Sequence, residues 1–129
     1  MALRILIVDD SLTMRRLLLR TLSQAGFPDA EILEAGTGAE GLERFDPRSI
    51  DLVLTDVNMP EMDGFALARE VRKRSREVPD GKPVRILMMT ADGEPAMLQA
   101  ARDAGADGLL VKPFTPPALV QKIKDMLGA

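Results

Sequence analysis

The chain has 129 residues, 46% of them hydrophobic and 29% charged, which is enough apolar material for one sizeable core and too little length for two domains. It contains no cysteine and no histidine, which excludes disulfides, thiolate zinc sites, thiol nucleophiles and the commonest general base and metal ligand. A net charge of -3, with phenylalanine the only aromatic, argues against a polycationic nucleic-acid binder and against a base-stacking platform.

The first apolar run, Ile5-Leu6-Ile7-Val8, is continuous and predicts a strand buried on both faces. Arg4 and Asp9-Asp10 bracket it. It is too short for a membrane span or a signal-peptide core, so a cytoplasmic protein without membrane association is expected. Met14, Leu17, Leu18 and Leu22 then fall on one helical face, closed by Gly26, while Arg15, Arg16 and Arg20 fit a solvated polar face. Glu31 to Ala35 is more polar and predicts an edge strand. Ala39, Leu42 and Phe45 mark a short helix ended by Asp46-Pro47, and Leu52-Val53-Leu54 a third strand. Phe65, Ala68 and Val71 give a third helix, and the polar stretch from Lys73 through Pro83 reads as an exposed loop. Ile86-Leu87-Met88-Met89 is a fourth strand. It is followed by a helix bearing Ala96, Met97, Ala100, Ala101 and Ala104 between Pro95 and Gly105. Leu109-Leu110-Val111 is the fifth strand, and Thr115-Pro116-Pro117 starts a last helix carrying Leu119, Val120, Ile123 and Leu127.

This alternation predicts an α/β fold, a doubly wound sheet of five parallel strands built from (βα)5 units in a single domain over residues 1–129. Ligands of such sheets bind beyond the carboxyl ends of the strands. The residues there are Asp9-Asp10, Asp56, Thr90 and Lys112, and the first, third, fourth and fifth strands can be neighbours. Three carboxylates, a hydroxyl and an ammonium would then share one pocket. Oxygen-only ligands select a hard cation, Mg²⁺ or else Mn²⁺ or Ca²⁺, and magnesium favours a shared anionic ligand such as phosphate. The implied chemistry is phosphoryl transfer onto a carboxylate, which depends on positioning and charge neutralisation and needs no histidine base. Each residue also has an ordinary structural use: Asp9, Asp10 or Ser11 as a helix cap, Asp56 as a turn starter, Thr90 as a strand end, Lys112 as a surface cation. It is their joint occurrence at one sheet edge that favours a site.

Val8-Asp9-Asp10-Ser11, the stretch Asp56-Val57-Asn58-Met59-Pro60-Glu61-Met62-Asp63-Gly64, Thr90-Ala91 and Lys112-Pro113-Phe114 together resemble the response-regulator receiver domain of two-component signalling. Thr13-Met14-Arg15-Arg16, Asn58 and Phe114-Thr115 resemble its stand-alone chemotaxis regulators in particular. The expected architecture is therefore flavodoxin-like, with strand order 2-1-3-4-5. The resemblance implies that Asp56 accepts a phosphoryl group from a phospho-histidine on a sensor histidine kinase. It implies Mg²⁺ (or Mn²⁺) held by Asp10, Asp56 and the Asn58 carbonyl, with Asp9 acting through water. It also implies phosphate contacts from Thr90 and Lys112, a cis Lys112-Pro113 peptide, and hydrolysis of the phosphoryl group tuned by Asn58 and Asp92. The family usually has Tyr or Phe at the position of Leu109, as a partner in the switch, so that coupling differs here.

A rival pattern is Gly36-Thr37-Gly38-Ala39-Glu40-Gly41, which fits G-x-G-x-x-G and suggests a small dinucleotide-binding protein. It follows the second strand instead of the first, leaves the strand-end residues unexplained, and also suits a tight turn with close helix packing. Met88 and Met89 are expected in the core, with Met59 and Met62 filling gaps beside the acidic loop. With no segment after the fifth helix, the signal is expected to pass by protein contact. The expected partner is a target such as the flagellar motor switch, with a phosphatase as a further partner, and the protein acting as a monomeric switch and not as an enzyme. A phosphorelay shuttle, or a receiver cut from a longer regulator, are the alternatives.

Overall fold

The computed structural model describes residues 3–79 and 83–128. Its elements follow in the order β1 (Arg4–Val8), α1 (Leu12–Thr21), a π turn (Leu22–Gly26), β2 (Glu31–Ala35), α2 (Gly38–Arg44), β3 (Leu52–Asp56), α3 (Gly64–Glu77), β4 (Arg85–Thr90), α4 (Pro95–Asp103), β5 (Gly108–Val111) and α5 (Pro116–Leu127). The five strands are parallel in the order β2-β1-β3-β4-β5, as expected, with β2 at one edge. Among the described residues no helix is long and apolar enough to cross a membrane.

The continuous apolar runs have the expected cause. Successive strand residues point to opposite faces, and both faces are covered. Leu6, Val8, Val53, Ile86 and Met88 pack with Leu42, Leu67, Val71 and Ala101 from α2, α3 and α4. On the other face Ile5, Ile7, Leu52, Leu54, Leu87 and Met89 pack with Leu18, Leu119 and Ile123 from α1 and α5. All these strand residues are fully buried. Register then fixes the sheet's carboxyl edge. Val8 lies opposite Thr55, Asp56 opposite Met89, and Thr90 opposite Val111. The residues after β1 and β5 are thereby brought to the ends of β3 and β4.

Three expectations are corrected. Lys73 to Glu77 belongs to α3 and is not loop: Arg74 pairs with Glu70 one turn earlier and donates to the Leu42 carbonyl, which holds a polar segment helical. Residues 80–82 of the expected loop lie outside the described residues. Leu17 is 42% exposed, because Met14, Leu18 and Leu22 already fill the side of the helix turned to the sheet. Val111 is 43% exposed, since it is the last residue of β5, an edge strand with a neighbouring strand on one side only.

The turn feeding β3 is built on Asp46. Its carboxylate accepts the Arg48 N–H at 3.0 Å and the Ser49 hydroxyl at 2.9 Å, and its carbonyl accepts the N–H groups of Ser49 and Ile50. The Arg48 amide, seconded by the Ser49 hydroxyl, holds the Asp46 carboxyl below its usual value of 3.8. A depressed folded-state value contributes stability above the unfolded value that is lost as pH falls through the folded one. Asp46→Ala is therefore expected to lower the urea midpoint modestly at pH 7, with the gap from wild type closing progressively below about pH 3.8. A gap independent of pH would show that the charge is not what stabilises the turn.

Candidate functional site

Asp9 leaves β1 with its N–H on the Ala35 carbonyl, at 3.1 Å, and its Oδ1 accepts the Ser11 N–H at 2.9 Å. Ser11 in turn caps α1, its Oγ accepting the Met14 N–H at 3.1 Å. Asp9 is fully buried, and its second oxygen, Oδ2, has no hydrogen bond. The nearest cation is Lys112 at the end of β5, with Nζ 3.8 Å from Asp9 Oδ2 and 3.4 Å from Asp56 Oδ1. Asp56 ends β3 and is 9% exposed, while Asp10 is open to solvent. Asp9, Asp10 and Asp56 each bring one carboxylate oxygen to within 4.8 Å of the others.

The loop after β3 is tightly specified. The Val57 N–H donates to the Met89 carbonyl, and the Val57 carbonyl accepts the Gly64 N–H at 2.8 Å. A Cβ at Gly64 would overlap the Asp56 carbonyl oxygen and lie 3.0 Å from the Val57 Cα, so only glycine lets α3 start against the strand end. Asp63 caps α3 through the Ala66 N–H, Met59 is buried, and Asn58 is exposed beside Asp56. Thr90 ends β4 fully buried, its Oγ1 accepting the Asp92 N–H at 3.1 Å. Its carbonyl accepts the Lys112 N–H at 2.7 Å, which joins the fourth and fifth strand ends directly beside the cis Lys112-Pro113 peptide.

Burial pushes the Asp9 carboxyl up from its usual value; the Ser11 amide and Lys112 oppose this, and the charges of Asp56 and Asp10 add to it. A buried carboxylate with one oxygen unbonded, next to two further carboxylates, suits a divalent oxygen-seeking cation better than it suits a purely structural role. The chain has no thiolate or imidazole donor, and the converging side-chain donors are all carboxylate oxygens, which narrows that fit to hard ions such as Mg²⁺.

Asp9, Asp10, Asp56 and Lys112 thus converge as the sequence predicts, and Thr90 adjoins them by register. Asp92 lies in the following loop, where its Oδ1 accepts the Glu94 N–H at 2.9 Å. Leu109 sits in β5 opposite Met88, half-buried against the core layer that holds α4. The glycines of the G-x-G-x-x-G pattern serve packing. A Cβ on Gly38 would lie 2.8 Å from the Met62 Sδ, and one on Gly41 2.9 Å from a Val8 methyl. One residue goes against expectation. Arg15 does not belong to a solvated face: it donates to the Asp9 carbonyl at 2.6 Å and to Glu34 at 3.3 Å. The available signal was a cation one helical turn beyond an acidic pair.

Residues 5–124 match the model of the response regulator receiver domain. The chain belongs to that family. Among similar receivers, the chemotaxis protein CheY1 of Helicobacter pylori is 43% identical over 127 residues, covering 98% of each chain. The chemotaxis protein CheY of Bacillus subtilis is 37% identical over 128 residues, covering 99% of this chain and all of that one. Among solved receivers, the chemotaxis response regulator CheY4 of Vibrio cholerae superposes with a TM-score of 0.85 at 34% identity, over 98% of this chain and 99% of that one.

The receiver's acidic corner has a measurable cost. The raised Asp9 value means that its charged form is less favourable in the folded than in the unfolded chain, so stability falls as pH rises from 3.8 through the folded value. Without divalent ions, Asp9→Asn is expected to raise the melting temperature at pH 7, with a smaller gain near pH 4. An unchanged or lower melting temperature at pH 7 would contradict the electrostatic account.

Proposed function

We propose that this receiver is a phosphorylation-activated signalling switch acting in chemotaxis, as one domain over residues 1–129, and that Asp56 is its phosphoacceptor. The observation that carries this reading is Asp56 at the end of the central strand with Lys112 Nζ 3.4 Å from its carboxylate. An Asp56 oxygen attacks the phosphorus of a phospho-histidine on a sensor kinase; the new P–O bond forms as the P–N bond breaks, and the imidazole leaves. Lys112 neutralises charge on the acceptor and on the arriving phosphoryl oxygens. The Thr90 hydroxyl, already accepting the Asp92 amide, keeps its proton to donate to a phosphoryl oxygen.

Asp10, Asp56 and the Asn58 carbonyl would hold Mg²⁺, for which Mn²⁺ could substitute, with Asp9 acting through water. When bound, the ion supplies positive charge to the phosphoryl oxygens. Asn58 and Asp92 are small and polar and leave a path for the water that later cleaves the acyl phosphate, so the phosphorylated state is short-lived. Leu109 lacks the hydroxyl of a tyrosine, so activation relies on Thr90 and the loop at Asp92-Gly93 moving toward the phosphate.

The output passes by protein contact through the face formed by α4, β5 and α5, where Leu98 and Val111 are exposed. The chemotaxis assignment rests on the names and full-length coverage of the similar proteins, and its natural target is the flagellar motor switch, with a phosphatase shortening the signal. The protein works as a cytoplasmic monomer and as a signalling component, not as an enzyme with a separate substrate.

Incubation with acetyl phosphate and Mg²⁺ is expected to add one phosphoryl group by intact mass, and Asp56→Asn to abolish it. Lys112→Ala is expected to slow labelling by roughly a hundredfold, the scale of losing one charge-stabilising donor. Labelling of Asp56→Asn at the wild-type rate would refute the assignment.

A further inference from the structure

Asp10 is exposed, and among the described residues nothing hydrogen-bonds its carboxylate. Its place beside Asp9 and Asp56 is therefore set by its backbone. The peptide that precedes it carries the Asp9 carbonyl, and the Arg15 Nη1 donates to that oxygen at 2.6 Å. Through Nε the same guanidinium reaches Glu34 Oε1 on β2, at 3.3 Å. Both anchors are firm: the Arg15 N–H is bonded to the Ser11 carbonyl in the first turn of α1, and Glu34 stands in register with Ile7 of β1. The Arg15 side chain is 18% exposed, whereas its neighbours Arg16 and Arg20 lie on the open surface. Gly36 gives it room, since a Cβ there would lie 3.3 Å from the Arg15 Nη1.

Arg15 acts on a cation at Asp9, Asp10 and Asp56 in two opposed ways. Its charge repels a divalent ion, while its grip on the Asp9-Asp10 peptide holds Asp10 in a ligating position. We propose that the second effect dominates and that Arg15, steadied by Glu34 and accommodated by Gly36, is a positioning residue for the cation site. Removal of a neutralising charge alone would tighten cation binding; removal of a positioning contact weakens it. The sign of the change separates the two.

This inference rests on reading the acidic corner as a Mg²⁺ site, and the test keeps the two apart. Mg²⁺ alone is titrated into the full chain by calorimetry and by amide NMR shifts, at fixed ionic strength, with metal-free melting recorded alongside. Arg15→Met is expected to weaken Mg²⁺ binding by about tenfold or more, the scale seen when a group orienting a metal ligand is removed. Arg15→Lys keeps the charge but loses the two-sided fork, so it is expected to weaken binding as well. Gly36→Ala crowds the guanidinium without altering it and is expected to act in the same direction. It and Arg15→Lys carry the test if Arg15→Met does not fold. Unchanged Mg²⁺ affinity with a lowered metal-free melting temperature would reduce Arg15 to a structural role and overturn the proposal, as would tighter Mg²⁺ binding in Arg15→Met. Failure of the wild-type chain to bind Mg²⁺ would overturn the cation-site reading itself.

Discussion

Asp9 is buried with one carboxylate oxygen held by the Ser11 amide and the other without a hydrogen bond, 3.8 Å from the Lys112 ammonium, and Asp10 and Asp56 crowd the same corner. Like charges at this separation repel, and a low-dielectric surround strengthens that repulsion. One ammonium does not balance three carboxylates. The remainder of the sheet supplies the stability that keeps them together: eleven apolar strand residues with no exposed surface, packed on both faces, fix the register that brings the four strand ends side by side. A corner left with excess negative charge has the donor set that a hard cation requires.

The same packing explains why small local features matter near the site. Gly64 permits α3 to begin directly against the Asp56 carbonyl, and the Val57 amide ties that loop to β4. The Thr90 carbonyl receives the Lys112 amide, so the hydroxyl and the ammonium sit on adjoining strand ends joined by a backbone bond. Arg15 and Glu34 extend this support to the Asp9-Asp10 peptide from the far side. Each device limits motion of a group that electrostatics alone would drive apart, which is how a strained site persists in an otherwise locally consistent fold.

Much of this was legible in the sequence because two-sided burial leaves a plain mark. Ile5 to Val8 and Ile86 to Met89 are continuous apolar runs, and a run that ends in a carboxylate or hydroxyl announces the sheet edge where ligands bind. Lys73 to Glu77 was not legible as helix, because its stability comes from Arg74 reaching Glu70 and the Leu42 carbonyl, a contact between elements that polarity alone does not reveal. Arg15 was hidden for a related reason. An arginine on a helix face is usually solvated, and only the folded position of Glu34 and the space at Gly36 turn this one inward. Leu17 failed in the opposite sense: it fits the apolar period of α1, yet the side turned to the sheet is filled by Met14, Leu18 and Leu22.

Whether these four strand ends form one centre for a cation and a phosphoryl group is decided by a crystal structure of the protein with Mg²⁺ and beryllofluoride, whose fluorines stand in for the oxygens of a phosphoryl group on a carboxylate. Beryllium is expected on Asp56, the metal on Asp10, Asp56 and the Asn58 carbonyl, and the fluorines against the Thr90 hydroxyl and Lys112 Nζ. Beryllofluoride on another carboxylate, or a cation bound away from Asp10 and Asp56, would contradict a single centre.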